Sequence, residues 1–206
     1  MIKRRKHLAM KLESIPSHIN PSVNLEQYST PADIASDVLW NAYSMGDIEG
    51  KVVCDLGCGT GIFTIGSALL GSKKSIGVDI DLESLNVASY SADLLNINNN
   101  ISFINDDVEN ISCNVNTVFQ NPPFGAQGAS IKNADRLFMR KSLEIADTVY
   151  SFHLFKTYDF VKNYFNDLGG KITGMLKYDF PLPKQFEFHT KESINIKVIV
   201  VKVEKI

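Results

Sequence analysis

Apolar residues along this chain follow two spacings, one compact or alternating and one near the helical repeat. Five short apolar runs read as buried strands: "KVVCDLG" (51–57), "KKSIGVDID" (73–81), "ISFIND" (101–106), "VNTVFQ" (115–120) and "TVYSFH" (148–153). Helical spacing follows the first at 62–71, which Gly71 closes, and the second at 82–96, where Leu82, Leu85, Ala88, Ala92 and Leu95 recur on one face. Further helices are predicted over 134–147 and over 157–170, the latter ending in a glycine pair. Two longer runs, 171–180 and 194–205, have no helix between them, and the last is apolar on both faces at Ile199 to Val201, which predicts an inner strand. Ahead of all these, 3–14 reads as a short basic helix stopped by "SIPSHINPS". "Thr30-Pro31-Ala32-Asp33" reads as a second helix start, with Thr30 as N-cap and Pro31 at the first helical position, running to about Tyr43.

Strands that alternate with helices predict an α/β fold: a doubly wound, mostly parallel seven-stranded sheet with an antiparallel C-terminal strand. Such sheets bind ligands at the carboxyl ends of their strands, so the loops after strands one, two and four are expected to carry the chemistry. No repeat or linker interrupts 1–206, which reads as one domain, with 1–45 as an N-terminal helical cap.

Composition narrows the possibilities. With 44% hydrophobic and 21% charged residues, the chain is neither disordered nor fibrous. No apolar run has the length of a membrane span, and the charged N-terminus lacks the apolar core of a secretory signal. Three cysteines, Cys54, Cys58 and Cys113, form no CxxC pair; they suggest a reducing cytoplasm and read as small buried hydrophobes, with no metal site expected. A net charge of −2 means that any nucleic-acid binding must use a local basic patch. Candidates are Lys3 to His7, then Arg136, Arg140 and Lys141, then Lys177, Lys184, His189 and Lys191. His153 and His189 read as packing or surface residues.

Four stretches carry chemistry. "Asp55-Leu56-Gly57-Cys58-Gly59-Thr60-Gly61" places glycines at a strand-to-helix corner, where a ligand can approach the backbone. The nicotinamide fingerprint would need glycine at 62, where Ile62 stands, so the pattern instead resembles motif I of class I S-adenosylmethionine-dependent methyltransferases. Asp79 ends the second strand 22 residues after Gly57, a place from which an acid can bind both hydroxyls of a ribose; its neighbours are Ile80 and Asp81, the latter also a natural N-cap. Asp107, followed by Val108, stands after strand three, and it is equally readable as a solvated turn acid. "Asn121-Pro122-Pro123-Phe124" follows strand four and matches the (D/N/S)-P-P-(F/Y/W) signature of methyltransferases acting on planar amino nitrogens. An exocyclic amine conjugated to a purine is a poor nucleophile. The Asn121 side-chain oxygen and the Pro122 carbonyl can accept its hydrogens, and the prolines fix that backbone in advance. Phe124 can stack on an extruded base.

With "Leu25-Glu26-Gln27-Tyr28-Ser29-Thr30-Pro31" and the late "KYDFPLPKQFEFH", these motifs resemble the methyltransferase-like protein five family, adenosine-N6 methyltransferases of small-subunit ribosomal RNA with archaeal relatives. The resemblance implies a Rossmann-like class I fold with S-adenosyl-L-methionine as cofactor. It implies Gln27, Tyr28 and Thr30 over the methionine end, Gly57, Thr60 and Ile62 in the turn, Asp79 at the ribose and Asp107 at the adenine. It also implies a small zinc-binding activator protein as partner in a heterodimer, docking by β-augmentation. The small-residue loop after Gly125 departs from the family pattern. Rival readings are a glutamine-N5 methyltransferase of release factors, a DNA adenine-N6 methyltransferase, and an inactive scaffold for a partner protein.

Overall fold

The computed structural model describes residues 2–18, 28–123, 134–183 and 193–206. In chain order the helices are α1 (Arg5–Leu12), α2 (Ala32–Ser44), α3 (Ile62–Leu69), α4 (Leu82–Leu94), α5 (Ala134–Ile145) and α6 (Tyr158–Asp167). The strands are β1 (Val52–Leu56), β2 (Lys74–Asp79), β3 (Ile101–Asn105), β4 (Val115–Gln120), β5 (Ala146–Leu154), β6 (Gly170–Pro183) and β7 (Ser193–Lys205). They form one sheet in the order β3-β2-β1-β4-β5-β7-β6. β1 to β5 pair in parallel, and β7 runs antiparallel between β5 and β6. As expected for an inner strand, Val198 to Val201 and Val203 are buried.

The strand order reverses between β1 and β4, whose carboxyl ends therefore face a crevice that no crossover helix covers. One face of the sheet packs against α1, α2 and α3, through Leu8, Leu12, Val38, Leu39 and Phe63. The opposite face packs against α5 and α6, through Met139, Leu143, Val161 and Phe165. On the first face Phe63 stacks on Phe119 at 5.5 Å, and Phe119 on Tyr150 at 5.1 Å. Burying each such ring contributes on the order of 2 kcal/mol. The stack thereby ties α3 to β4 and β5, and with them the loop that β4 feeds.

Two helix starts differ in their fit to the sequence reading. Asp81 is the N-cap of α4: its Oδ1 accepts from the Glu83 N–H at 3.0 Å and its Oδ2 from the Ser84 hydroxyl at 2.6 Å. Thr30 is not the cap of α2. That helix begins at Ala32, with extended Pro31 as the capping residue and no side-chain cap. The Thr30 hydroxyl is turned to another partner. Leu82, expected on the buried stripe of α4, is exposed, because the helix packs through Leu85, Ala88 and Ala92 one turn later.

Candidate active site

The glycine turn after β1 holds a shape that L side chains resist. Gly57, Gly59 and Gly61 have φ of 68, 52 and 85°. A Cβ on Gly61 would also come within 3.0 Å of the Ala88 Cβ on α4. Behind the turn, buried Asp55 accepts at Oδ2 from the Thr64 N–H at 3.0 Å and the Thr64 hydroxyl at 2.9 Å, tying β1 to the first turns of α3. Burial pushes its carboxyl up to about 7, against the pull of both Thr64 bonds. From β2, Asp79 accepts at Oδ2 from the Gly59 N–H at 2.7 Å and at Oδ1 from the Asp81 N–H at 2.9 Å. Burial raises its pKa as well. A carboxylate has about four acceptor positions. Asp79 thus braces the turn and keeps lone pairs for a ligand.

These residues border one cleft of about 510 Å³. Tyr28 and Thr30 enter it from the segment before α2, and Asp55, Gly57, Gly59, Thr60 and Ile62 from the turn. Asp79 and Ile80 come from the end of β2, Asp107 and Val108 from beyond β3, and Asn121, Pro122 and Pro123 from beyond β4. Ile80 is 58% exposed, an apolar surface left open beside a carboxylate. Asp107 is exposed and its Oδ1 accepts from the Glu109 N–H at 2.9 Å, so it serves its own turn while standing at the cleft rim. Gly61 does not border the cleft; it packs behind the turn against α4. Gln27 and Phe124 lie outside the described residues, as do Lys184, His189 and Lys191.

Asn121 has the most telling geometry. Its Nδ2 donates to the Thr30 hydroxyl at 3.1 Å, and its Oδ1 is buried with no hydrogen-bond partner among the described residues. A buried carbonyl oxygen left unpaired costs about 1–3 kcal/mol, so such an acceptor invites a donor from a ligand. Adjacent Gln120 is locked from below: its Nε2 donates to Ser151 Oγ at 2.9 Å, which bonds His153 Nε2 at 2.6 Å. Burial drives the pKa of His153 down to about 3, so this ring is neutral and packs the core.

The cleft has walls that no motif announced. His18 lines it, with Nδ1 bonded to Ser84 Oγ at 2.7 Å, and its ring lies so close to the turn that a Cβ on Gly59 would come within 2.9 Å of Cε1. Burial holds its pKa down, against the attraction of Asp79 and Asp81. Leu137 and Phe138 of α5 close the far side. In the sequence His18 sits in a proline-bounded connector, and no local signal marks it. Among the basic candidates, Lys141 is buried and donates to the Ile111 carbonyl at 3.0 Å, so it pins α5 and cannot grip phosphate. Arg140 pairs with Glu109 at 3.3 Å, and Arg5 with Asp37 at 3.5 Å. Among the described residues no cluster of His, Cys, Asp or Glu could hold a metal ion, and no helix is long and apolar enough to cross a membrane.

Comparison with known proteins agrees with this architecture. Residues 28–147 match the family described as "Methyltransferase small domain". An uncharacterized protein of Methanocaldococcus jannaschii is 42% identical over all of this chain and 96% of its own length. The rRNA N(6)-adenosine-methyltransferase METTL5 of Danio rerio is 32% identical over 94% of this chain and 95% of its own. A crystal structure from Pyrococcus horikoshii, proposed to be an RNA methyltransferase, superimposes with a TM-score of 0.91 at 40% identity and covers 100% of both chains. The fold alone is shared with the magnesium protoporphyrin IX methyltransferase of Synechocystis, solved with bound S-adenosylmethionine (TM-score 0.66, 17% identity, 95% of this chain and 90% of that one). The residues here fit that cofactor. The cleft volume is that of a small-molecule site, Gly59 exposes backbone to it, and carboxylates follow β2 and β3. The chain belongs to the methyltransferase small-domain family and is an S-adenosylmethionine-dependent methyltransferase.

Proposed function

We propose that this enzyme methylates N6 of an adenosine in small-subunit ribosomal RNA, with residues 1–206 acting as one catalytic unit whose first 45 residues help close the cofactor cleft. The observation that carries this reading is the orientation of Asn121. Thr30 takes one Nδ2 hydrogen, and Oδ1 of this cleft-lining residue is left buried with no partner among the described residues. An adenine amino group has two hydrogens to donate, and the Pro122 carbonyl is the natural second acceptor. Accepting both hydrogens favours a pyramidal nitrogen and frees the lone pair that conjugation withholds. When bound, the cofactor supplies an electrophilic sulfonium methyl. Asn121, Pro122 and Pro123 hold the amine in line with it, and no protein nucleophile is required. Phe124, by its place in the motif, stacks on the base. Asp79 holds the ribose hydroxyls, Asp107 and Val108 the adenine end with Ile80 beneath, and Gln27, Tyr28 and Thr30 the methionine end. Relatives named rRNA N(6)-adenosine-methyltransferases, aligned over nearly the whole chain, support the choice of nucleic acid over protein. A small zinc-binding activator in a cytoplasmic heterodimer belongs to the same proposal.

The test is product analysis. The enzyme, with and without a candidate activator, is incubated with labelled cofactor and either ribosomal RNA or release factor, and the digested product is identified. N6-methyladenosine is expected, with Asn121→Ala reducing kcat by about a hundredfold or more, as for loss of one preorganised polar group. Methylated glutamine would overturn the substrate assignment, and full activity in Asn121→Ala would overturn the mechanism.

A further inference from the structure

Beyond the cleft, the same carboxyl edge carries a second concavity. It is lined by Phe155, Lys177, Tyr178, Asp179, Lys197 and Val198, where the 3-10 turn Phe155–Thr157 meets β6 and β7. Strand register places it. Gln120 of β4 pairs with Ser151 of β5, and Leu154 pairs with Val198, which pairs with Tyr178. Leu154 therefore stands three residues, about 10 Å, past the level from which the Asn121 loop departs. The concavity is thus a higher shelf beside the proposed amine acceptor, two strands along and on the same side of the molecule as the strand carboxyl ends.

Its chemistry is unlike the rest of the edge. Phe155 is 46% exposed, and the Lys177 ammonium lies 4.8 Å from its ring centroid. Lys177 is in no ion pair among the described residues, whereas Lys197 is neutralised by Asp179 at 2.5 Å. Nearby, Arg136 in the first turn of α5 lies 5.0 Å from the ring centroid of Phe160 in the first turn of α6, and Phe160 is stacked on Tyr164 at 5.7 Å. Phe160 too is partly exposed. Two cation–aromatic pairs are an ordinary number for a chain of this length, so their placement carries the argument. Both pairs occupy the edge where β4 and β5 end. Both combine a partly exposed ring with an exposed cation, the pairing that lets a protein stack bases while neutralising the adjoining phosphates.

We propose that Phe155 with Lys177, and Phe160 with Arg136, are stacking stations for the nucleotides that flank the target in a single-stranded segment of RNA. The proposal rests on the RNA reading given above and extends it to residues outside the cofactor cleft. A base moved onto Phe155 takes the ring face now under the ammonium, and Lys177 swings to the phosphate. The bases on either side of the target are then held while the target itself is extruded toward Asn121.

Anisotropy of a labelled single-stranded RNA, measured with the full chain in cofactor-saturated buffer at two salt concentrations, tests this. Phe155→Ala and Phe160→Ala should each weaken RNA binding about tenfold, the effect of losing one stacked base. Phe155→Trp should restore it. Lys177→Gln should reduce the salt slope by about one. Cofactor affinity should match the unsubstituted protein in every variant, since none of these side chains borders the cofactor cleft. Unchanged RNA affinity in the Phe155→Ala/Phe160→Ala double variant would overturn the proposal, as would equal displacement of the RNA by polyglutamate. Binding is read without methyl transfer, so the two readings separate. RNA bound as described together with a methylglutamine product overturns the function and leaves the surface standing. Adenosine methylation undiminished by the double variant overturns the surface alone.

Discussion

Thr30 and Asn121 are separated by 91 positions and meet through one hydrogen bond of 3.1 Å. That bond holds the amide with Nδ2 toward Thr30, and on the function proposed above it leaves the oxygen for the amine. A carboxamide free to rotate would present its NH₂ group to the amine about as readily as its oxygen, and two donors facing each other repel. Thr30→Val should therefore lower kcat by about tenfold, the worth of one hydrogen bond in setting orientation. Thr30→Ser keeps the hydroxyl and should recover most of the loss. Steady-state rates with RNA as substrate check the pair; equal rates for the valine and serine variants would show that the hydroxyl does not orient Asn121.

At the scale of the element, the glycine turn is a joint among β1, β2 and the start of α3, held from behind by Asp55 and from the side by Asp79. Its conformation costs little only because three positions lack a Cβ. Gly61→Ala should destabilise the fold by about 1–3 kcal/mol, from a residue forced into left-handed φ and pressed against Ala88. Gly46 has similar φ, 80°, with nothing within 4 Å of a Cβ, so Gly46→Ala should cost clearly less. Thermal melts of the two variants give the comparison directly, and equal losses would mean that the contact with α4 is not the decisive factor. The same reasoning explains why Gly61, which the sequence offers as a cofactor residue, packs against α4 and does not border the cleft. A glycine needed for its backbone angle and one needed for ligand approach look alike in a motif. Lys141 gives a parallel case on α5: the sequence offers it as a free cation, while the packing of that helix buries it on the Ile111 carbonyl.

At the scale of the whole molecule, stability responds to pH through the carboxylates that the fold buries to build this joint. Asp55 has a folded pKa near 7 against an ordinary value of 3.8. The native state thus binds its proton more tightly than the unfolded chain does. The stability this contributes is full below about pH 3.8 and is lost as pH rises through 7. Asn at this position resembles the protonated acid and can still accept from Thr64. Asp55→Asn should therefore gain stability relative to the unsubstituted protein between pH 5 and pH 8, by a few kcal/mol at about 1.4 kcal/mol per pKa unit, with Tm rising accordingly. The charge of Asp79 adds to the rise at Asp55, so the difference reports the pair, with Asp55 as its larger part. Paired melts at the two pH values check this, and a gap that narrows with pH would refute it. Taken alone, the sequence determined the strands, the helices, the reversed last strand and the motif loops. Each of these follows from residues a few positions apart, through periodicity, glycine freedom and proline rigidity. Only the tertiary structure decided that Thr30 bonds Asn121 instead of capping α2, that His18 walls the cleft, and that two aromatic–cation pairs stand beyond it on the same side of the sheet. Those contacts join segments far apart in the chain, and their distances depend on how the helices pack on the two faces of one sheet, which no local spacing encodes.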